Sequence, residues 1–303
     1  MTYATSVAAA LLAALPAISH AQDFSGAVTL GYGDSDVSDV DQDITTRTFD
    51  GRLDVGFGNG FSFGARFDRI DGSLDGVSGD VTGDLFGLGL DYAFGNGFAV
   101  GAYWEDASIS IDGVPGDVSA RSYGLSASYE TAGMEFGGYY GDKSSDLLSG
   151  IDAEDYGLTF RYNASEQFLL GGNFGRTNLS AGGTSVDLDM IGVAGSYAFS
   201  EQWAAFAGVS RTSVDLADLD ITTMGLGVSY DFSAATSFGG IASLELARTE
   251  ADLGGGDGSI DTIRLGFTIP FGANASKVPL NSVADSILNP SHAVLSSTVL
   301  SAF

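Results

Sequence analysis

Cysteine is absent from the 303 residues, and the two histidines, His20 and His292, stand near the two ends of the chain. Ser-His-Asp and Cys-His nucleophilic mechanisms need a base beside the nucleophile, and everything between those histidines lacks one. Carboxylates are abundant, 39 acidic residues against 12 basic ones for a net charge of −27. No two are spaced so as to single them out for acid–base hydrolysis. The glycine pairs Gly31-Tyr-Gly33 and Gly87-Leu-Gly89 do not precede helices, which removes a dinucleotide-binding reading. Twelve scattered cations cannot build the basic face that a nucleic-acid backbone requires. No cofactor and no metal site is implied. The first loop lacks the glycine and the bidentate glutamate of an EF-hand. What remains is charge that can steer or orient a solute: Asp50, Arg52, Asp54, Arg66 and Asp68 close together, with Tyr103, Glu105, Tyr139, Arg161, Glu245 and Arg264 further along.

The elements that must carry these residues repeat at a fixed interval. Phe57, Tyr92, Tyr129, Tyr162, Tyr197, Tyr230 and Phe267 follow one another in steps of 35, 37, 33, 35, 33 and 37. Each period contains a tight turn between aromatics, as in Phe57-Gly-Asn-Gly-Phe61 and Tyr197-Ala-Phe-Ser-Glu-Gln-Trp203, and one longer acidic loop. Between turn and loop the residues alternate in type, the mark of a strand with two unlike faces. Phe86, Leu88, Leu90, Tyr92 and Phe94 point one way, and Gly87, Gly89, Asp91 and Ala93 the other. Tyr156, Leu158, Phe160 and Tyr162 oppose Gly157, Thr159, Arg161 and Asn163 in the same manner. A soluble sandwich would hide the aromatic face and charge the other one; here the other face is glycine, alanine, serine and threonine. The pattern predicts an all-β fold, a transmembrane antiparallel up-and-down β-barrel of fourteen strands, over residues 22–272.

Both ends of the chain are set apart. Val7 to Ile18 is an apolar run too short to span a bilayer, and Ser19-His20-Ala21 follows it. Residues 1–21 therefore read as a signal peptide cleaved before Gln22, although no lysine or arginine precedes the apolar run. Residues 273–303 read as a loose periplasmic tail with Pro279 and Pro290 around a short helix at Asn281 to Leu288. A plug inside the lumen and an extra strand ending at Phe303 are the two alternatives.

Arg264-Leu265-Gly266-Phe267-Thr268-Ile269-Pro270-Phe271 resembles the terminal-strand signal of Gram-negative porins and related outer-membrane barrels. On that resemblance Gly266, Ile269 and Phe271 carry the signal read by the barrel-assembly machinery. The resemblance also implies the bacterial outer membrane as the location, with its lipid and lipopolysaccharide as surroundings. The familiar trimeric porins have sixteen strands and a long constricting third loop, whereas the loop near Ser110 to Val118 is short here. Monomer and trimer both stay open.

For the lumen, a pairing of Phe57 with Phe61 makes partner numbers sum to 118. That sets Arg52 opposite Arg66 and Asp50 opposite Asp68, with Asp54 nearby. Like charges directly opposed repel, so this ladder is expected to bridge diagonally, arginine to aspartate. Asp34, Asp36, Asp39, Asp41, Asp43, Asp142, Asp146 and Asp152 crowd the loops and are expected to ring the mouth, concentrating cations. Inward glycines predict open, water-filled space. The function expected is passive diffusion of small hydrophilic solutes and ions, with a preference for cations and no enzymatic activity. The competing expectation is a non-conducting surface barrel whose acidic loops bind divalent cations.

Overall fold

The structure, a computed structural model, describes residues 23–38, 43–74, 79–113, 116–145, 152–181, 183–215, 219–233, 239–253, 256–272 and 278–302. Its strands are β1 (Asp23–Val37), β2 (Asp43–Gly56), β3 (Phe61–Leu74), β4 (Asp80–Ala93), β5 (Phe98–Ile111), β6 (Val118–Thr131) and β7 (Met134–Ser145). They continue as β8 (Asp152–Ser165), β9 (Phe168–Ala181), β10 (Thr184–Ala198), β11 (Trp203–Val214), β12 (Leu219–Asp231), β13 (Ile241–Leu253) and β14 (Asp257–Gly272). Every strand pairs antiparallel with its neighbours in sequence, and β14 closes on β1. The fold is the fourteen-stranded up-and-down barrel that the periodicity predicts. Closure satisfies every edge, which a sheet surrounded by lipid requires. Residues 1–21, the expected signal peptide, lie outside the described residues.

Turn chemistry sets the register. In Phe57-Gly-Asn-Gly-Phe61 the glycines Gly58 and Gly60 take φ of 70° and 91°, and the Phe61 amide donates to Asn59 Oδ1 at 3.2 Å. Gly95 and Gly97 repeat this at φ of 76° and 89°, with the Phe98 amide on Asn96 Oδ1. Left-handed backbone at both positions needs glycine. The β2–β3 pairing follows the expected sum: Gly56 faces Ser62, Arg52 faces Arg66 and Asp50 faces Asp68.

The register assigns each side chain to a face. Outward from the short-turn end, β4 shows Tyr92, Leu90, Leu88 and Phe86, and β12 shows Tyr230, Val228, Leu226 and Met224. The band is four outward positions tall, about 20 Å along the axis at the usual strand rise and tilt, near the height of the apolar band of outer-membrane barrels. Towards the loop end the outer face turns charged: Arg69, Asp84, Asp106, Arg121, Arg176 and Asp189, with Arg69–Asp84 and Arg121–Asp106 among the ion pairs there. Leu226, 64% exposed, sits in the middle of the apolar band. Leu226→Arg should cost about 2–4 kcal/mol in urea unfolding from lipid vesicles. Asp220→Asn, on the same strand above the band, should change stability by roughly 0.5 kcal/mol or less. Equal losses from the two would remove the lipid from that face.

The tail is where the structure departs from expectation. Residues 278–302 are not a loose periplasmic extension. They fold inside the barrel as α1 (Val283–Leu288) and α2 (Val294–Ala302), with Val283 and Asp285 at 0% exposure. Val283, Ala284, Ile287 and Leu288 form one apolar cluster with Ala194, Phe206 and Ala247 of the inner wall. The reason is burial: four apolar side chains find cover on the wall that they would lack in water. Among the described residues no helix is long and apolar enough to cross a membrane.

Candidate functional site

The bed under α1 is a row of small inward residues. Gly171, Ala194, Gly208, Gly225 and Ala247 are register neighbours on β9 to β13. A Cβ on Gly208 would stand 3.0 Å from Ile287 and 3.1 Å from Ala284, and one on Gly225 would stand 2.8 Å from Val283. On this side, space that composition presents as open is filled by a helix.

Charged wall residues grip both helices by their ends. At the start of α1 the Val283 amide donates to Glu245 Oε1 at 3.1 Å, and Ser282 caps the helix by accepting from the Asp285 amide. At its far end Arg161 donates to the Leu288 carbonyl at 2.8 Å and to the Asn289 side chain, and Arg66 donates to the Asn289 carbonyl at 2.8 Å. Glu105 accepts from Ser291 Oγ at 2.9 Å and the His292 amide at 3.0 Å, just before α2 begins. Arg264 donates to the Ser301 carbonyl at 3.0 Å near the end of α2. Carboxylates therefore meet the amide ends and guanidinia the carbonyl ends, the favourable sense for a peptide dipole. Glu245 and Arg264, 3% and 2% exposed, also pair with each other at 3.1 Å and tie the start of α1 to the end of α2. Midway along α1, Arg52 holds Asp285 through two bonds of 2.9 and 2.7 Å.

The eleven expected lumen residues all face inward, but their partners differ from the diagonal ladder. Arg66 pairs with Asp68 on its own strand, and Arg52 turns to the tail rather than to β3. Asp50 Oδ2 is buried without a hydrogen-bond partner. The ladder fails because an acceptor that sequence pairing could not supply, Asp285, enters from 233 residues away. Tyr103 and Tyr139 form a cage for His292, whose ring stacks on Tyr103 at 3.5 Å and meets Tyr139 edge-on at 4.8 Å. A histidine thus does reach the lumen, contrary to its expected place outside the barrel. Its Nδ1 lies 2.8 Å from Glu105 Oε1, and Ser291 gives its hydroxyl to the same carboxylate.

Five of the eight residues of the expected acidic mouth are described. Asp34, Asp36, Asp43, Asp142 and Asp152 sit on the outer face of their strands, because they alternate with the inward Gly33, Ser35, Ile44, Gly141 and Ala153. Asp39, Asp41 and Asp146 lie outside the described residues. Of the expected assembly-signal positions, Gly266 faces inward and Ile269 and Phe271 outward.

Beside the tail two cavities remain, about 400 Å³ against β2–β8 and about 670 Å³ against β1, β2 and β8–β11. Both touch Arg52, Asp54, Arg161 and Asn289, so they adjoin. The larger reaches the short-turn end at Ser165 and Gln167. The smaller adds Arg66, Asp91, Glu105, Glu135 and His292. Asp91, Glu135, Asp155, Asp285 and His292 are not among the expected lumen residues. The first three stand at inward positions of the alternation, a usable signal. The last two depend on where the tail goes.

A closed barrel with an apolar outer band, a polar charged lumen and an internal segment within it defines a membrane channel of the outer-membrane type. The chain matches the Gram-negative porin family over residues 59–217, and it belongs to that family. Among solved structures it resembles an anion-selective porin from Comamonas acidovorans at 11% identity and a TM-score of 0.52, covering 82% of this chain and 99% of that one. It resembles a Pseudomonas aeruginosa FadL homologue at 13% identity and a TM-score of 0.53, covering 82% and 90%. A mutant of the TodX monoaromatic hydrocarbon channel follows at 11% identity and 0.54, again covering 82% and 90%. Likeness at this identity concerns the fold. No curated protein sequence matches the chain. The protein is an outer-membrane β-barrel with a channel role.

Proposed function

We propose that the protein is a passive diffusion channel for small hydrophilic solutes and ions, preferring cations and performing no catalysis. The observation that carries this reading is the pair of adjoining charged cavities beside the tail, one along β2–β8 and one along β1, β2 and β8–β11, the part of the lumen that the tail leaves unfilled. Cation preference rests on the inner wall: Asp50, Asp54, Asp68, Asp91, Glu105, Glu135, Asp155 and Glu245 face inward against Arg52, Arg66, Lys143, Arg161 and Arg264. An acidic lumen of low dielectric concentrates cations and repels anions. In planar bilayers across a tenfold KCl gradient, the reversal potential is expected to have the cation-selective sign. An anion-selective sign would discard the charge reading and keep the pore.

The burial of α1 and α2 favours a second reading, a barrel that conducts little while the tail is docked. Inserted protein that passes no current with or without residues 273–303 would end the diffusion reading in favour of a structural barrel. Cleavage before Gln22, recognition of Gly266, Ile269 and Phe271 by the assembly machinery, contact with lipopolysaccharide and a monomeric or trimeric state belong to the same proposal. Mass of the mature chain and cross-linking in envelopes test the first and the last.

A further inference from the structure

The inner wall changes character towards the loop end. Thr48, Ile70, Gly83, Ile109 and Val118 are successive register partners across β2 to β6, and Leu85 stands one inward position below on β4. At this height the outer face carries the Arg69–Asp71 and Arg121–Asp106 pairs, so the strands are apolar inside and charged outside, the reverse of their membrane half. Across from this wall α2 turns Leu295 and Val299 towards it. A gap of about 90 Å³ separates them, lined by the apolar Ile70, Leu85, Ile109, Val118, Leu295 and Val299, with Asp68, Asp84 and Lys143 at its edges. Leu295 is 51% exposed, Val118 39% and Ile109 37%, although all three lie within the barrel mouth.

We propose that this gap is a binding cleft for a small apolar molecule of about one aromatic ring. Apolar side chains left facing one another across an unfilled, open space gain nothing from water, and a ligand that displaces it removes their surface from solvent. An enclosed apolar cavity of about 150 Å³ accepts a benzene ring in another protein; the gap here is smaller but opens to the barrel mouth. Enclosure between the wall and a helix inside the lumen excludes a folded partner, and the volume excludes a peptide. The cleft lies directly above the charged cavity: Asp68 and Ala107 of its lining are one inward position from Arg66 and Glu105. The proposal stands apart from the diffusion reading, because occupancy needs no current.

The test uses the full chain in lipid nanodiscs, a trifluoromethyl-phenyl-diazirine photolabel and peptide mapping, with toluene as competitor. Label on the peptide containing Leu295 and Val299 is expected to fall at least fivefold with excess toluene. Label on lipid-facing peptides such as those of β12 should not saturate. Leu295→Asp, a change at an exposed position, should lower the tail label at least fivefold while heat-modifiable migration on gels persists. Ile109→Asn should do the same from the wall side. A tail peptide that takes no label, or takes it without competition by toluene, overturns the cleft.

Discussion

Removing residues 273–303 is expected to raise single-channel conductance several-fold. A fourteen-stranded barrel lies between small barrels whose interiors are filled by side chains and larger ones that leave an aqueous channel. Here the inner wall of β9 to β13 is lined by Gly171, Ala194, Gly208 and Gly225, too small to fill the space themselves, and α1 lies on them. Without the tail this side opens to water and joins the two cavities beside it. Planar-bilayer recordings of both forms, each checked for heat-modifiable migration, decide the matter. Equal conductance from two well-formed barrels would mean that ions already bypass the tail and that α1 does not limit the pore.

Reversing one charge of the socket should release the tail without deleting it. Asp285 is fully buried and its carboxylate is held by Arg52 through two bonds. Arg52→Asp replaces that partner with a like charge, beside Asp50 and Asp68 on the same wall. Breaking a buried pair costs about 3–5 kcal/mol, a shift of more than a hundredfold in the docked population. Arg52 also lines the cavities, so conductance alone would confound the two effects. The chain has no cysteine, and Ser286, 3% exposed on α1, offers a reporter site. In a Ser286→Cys background, Arg52→Asp should speed maleimide labelling at least a hundredfold. The exchanged pair Arg52→Asp with Asp285→Arg should restore slow labelling. A tail that stays protected in the single reversal would show that the apolar bed holds α1 without the ion pair.

Most of the barrel was legible in the chain because strand physics is local. Alternation decides which side chains share a face, and the glycine-asparagine-glycine turns decide where strands reverse. Arg52 opposite Arg66 followed from three turn residues and simple counting. The inward direction of Tyr103, Glu105, Tyr139, Arg161, Glu245 and Arg264 followed from the same alternation. The described members of the expected acidic ring face away from the lumen, a matter of parity along the strand and not of position in the loop. Asp34 and Asp142 alternate with Gly33 and Gly141, which places them outside. That information was present in the sequence. The apolar inner wall at the loop end was equally present, in Ile70, Ile109 and Val118, and it escaped a reading that assumed one polarity along the whole strand.

The sequence by itself determined the closed sheet, its strand number, its register and the membrane face, because each depends on neighbours a few residues apart. Only the tertiary structure decided what occupies the lumen. A glycine on an inner wall looks the same whether water or a helix lies against it. The partners that settle the question, Asp285 for Arg52, Asn289 for Arg66 and Arg161, and His292 for Glu105, come from more than a hundred residues away. Docking of the tail is a balance between buried apolar surface, matched charge and the entropy of ordering a chain end, and no local pattern encodes that sum.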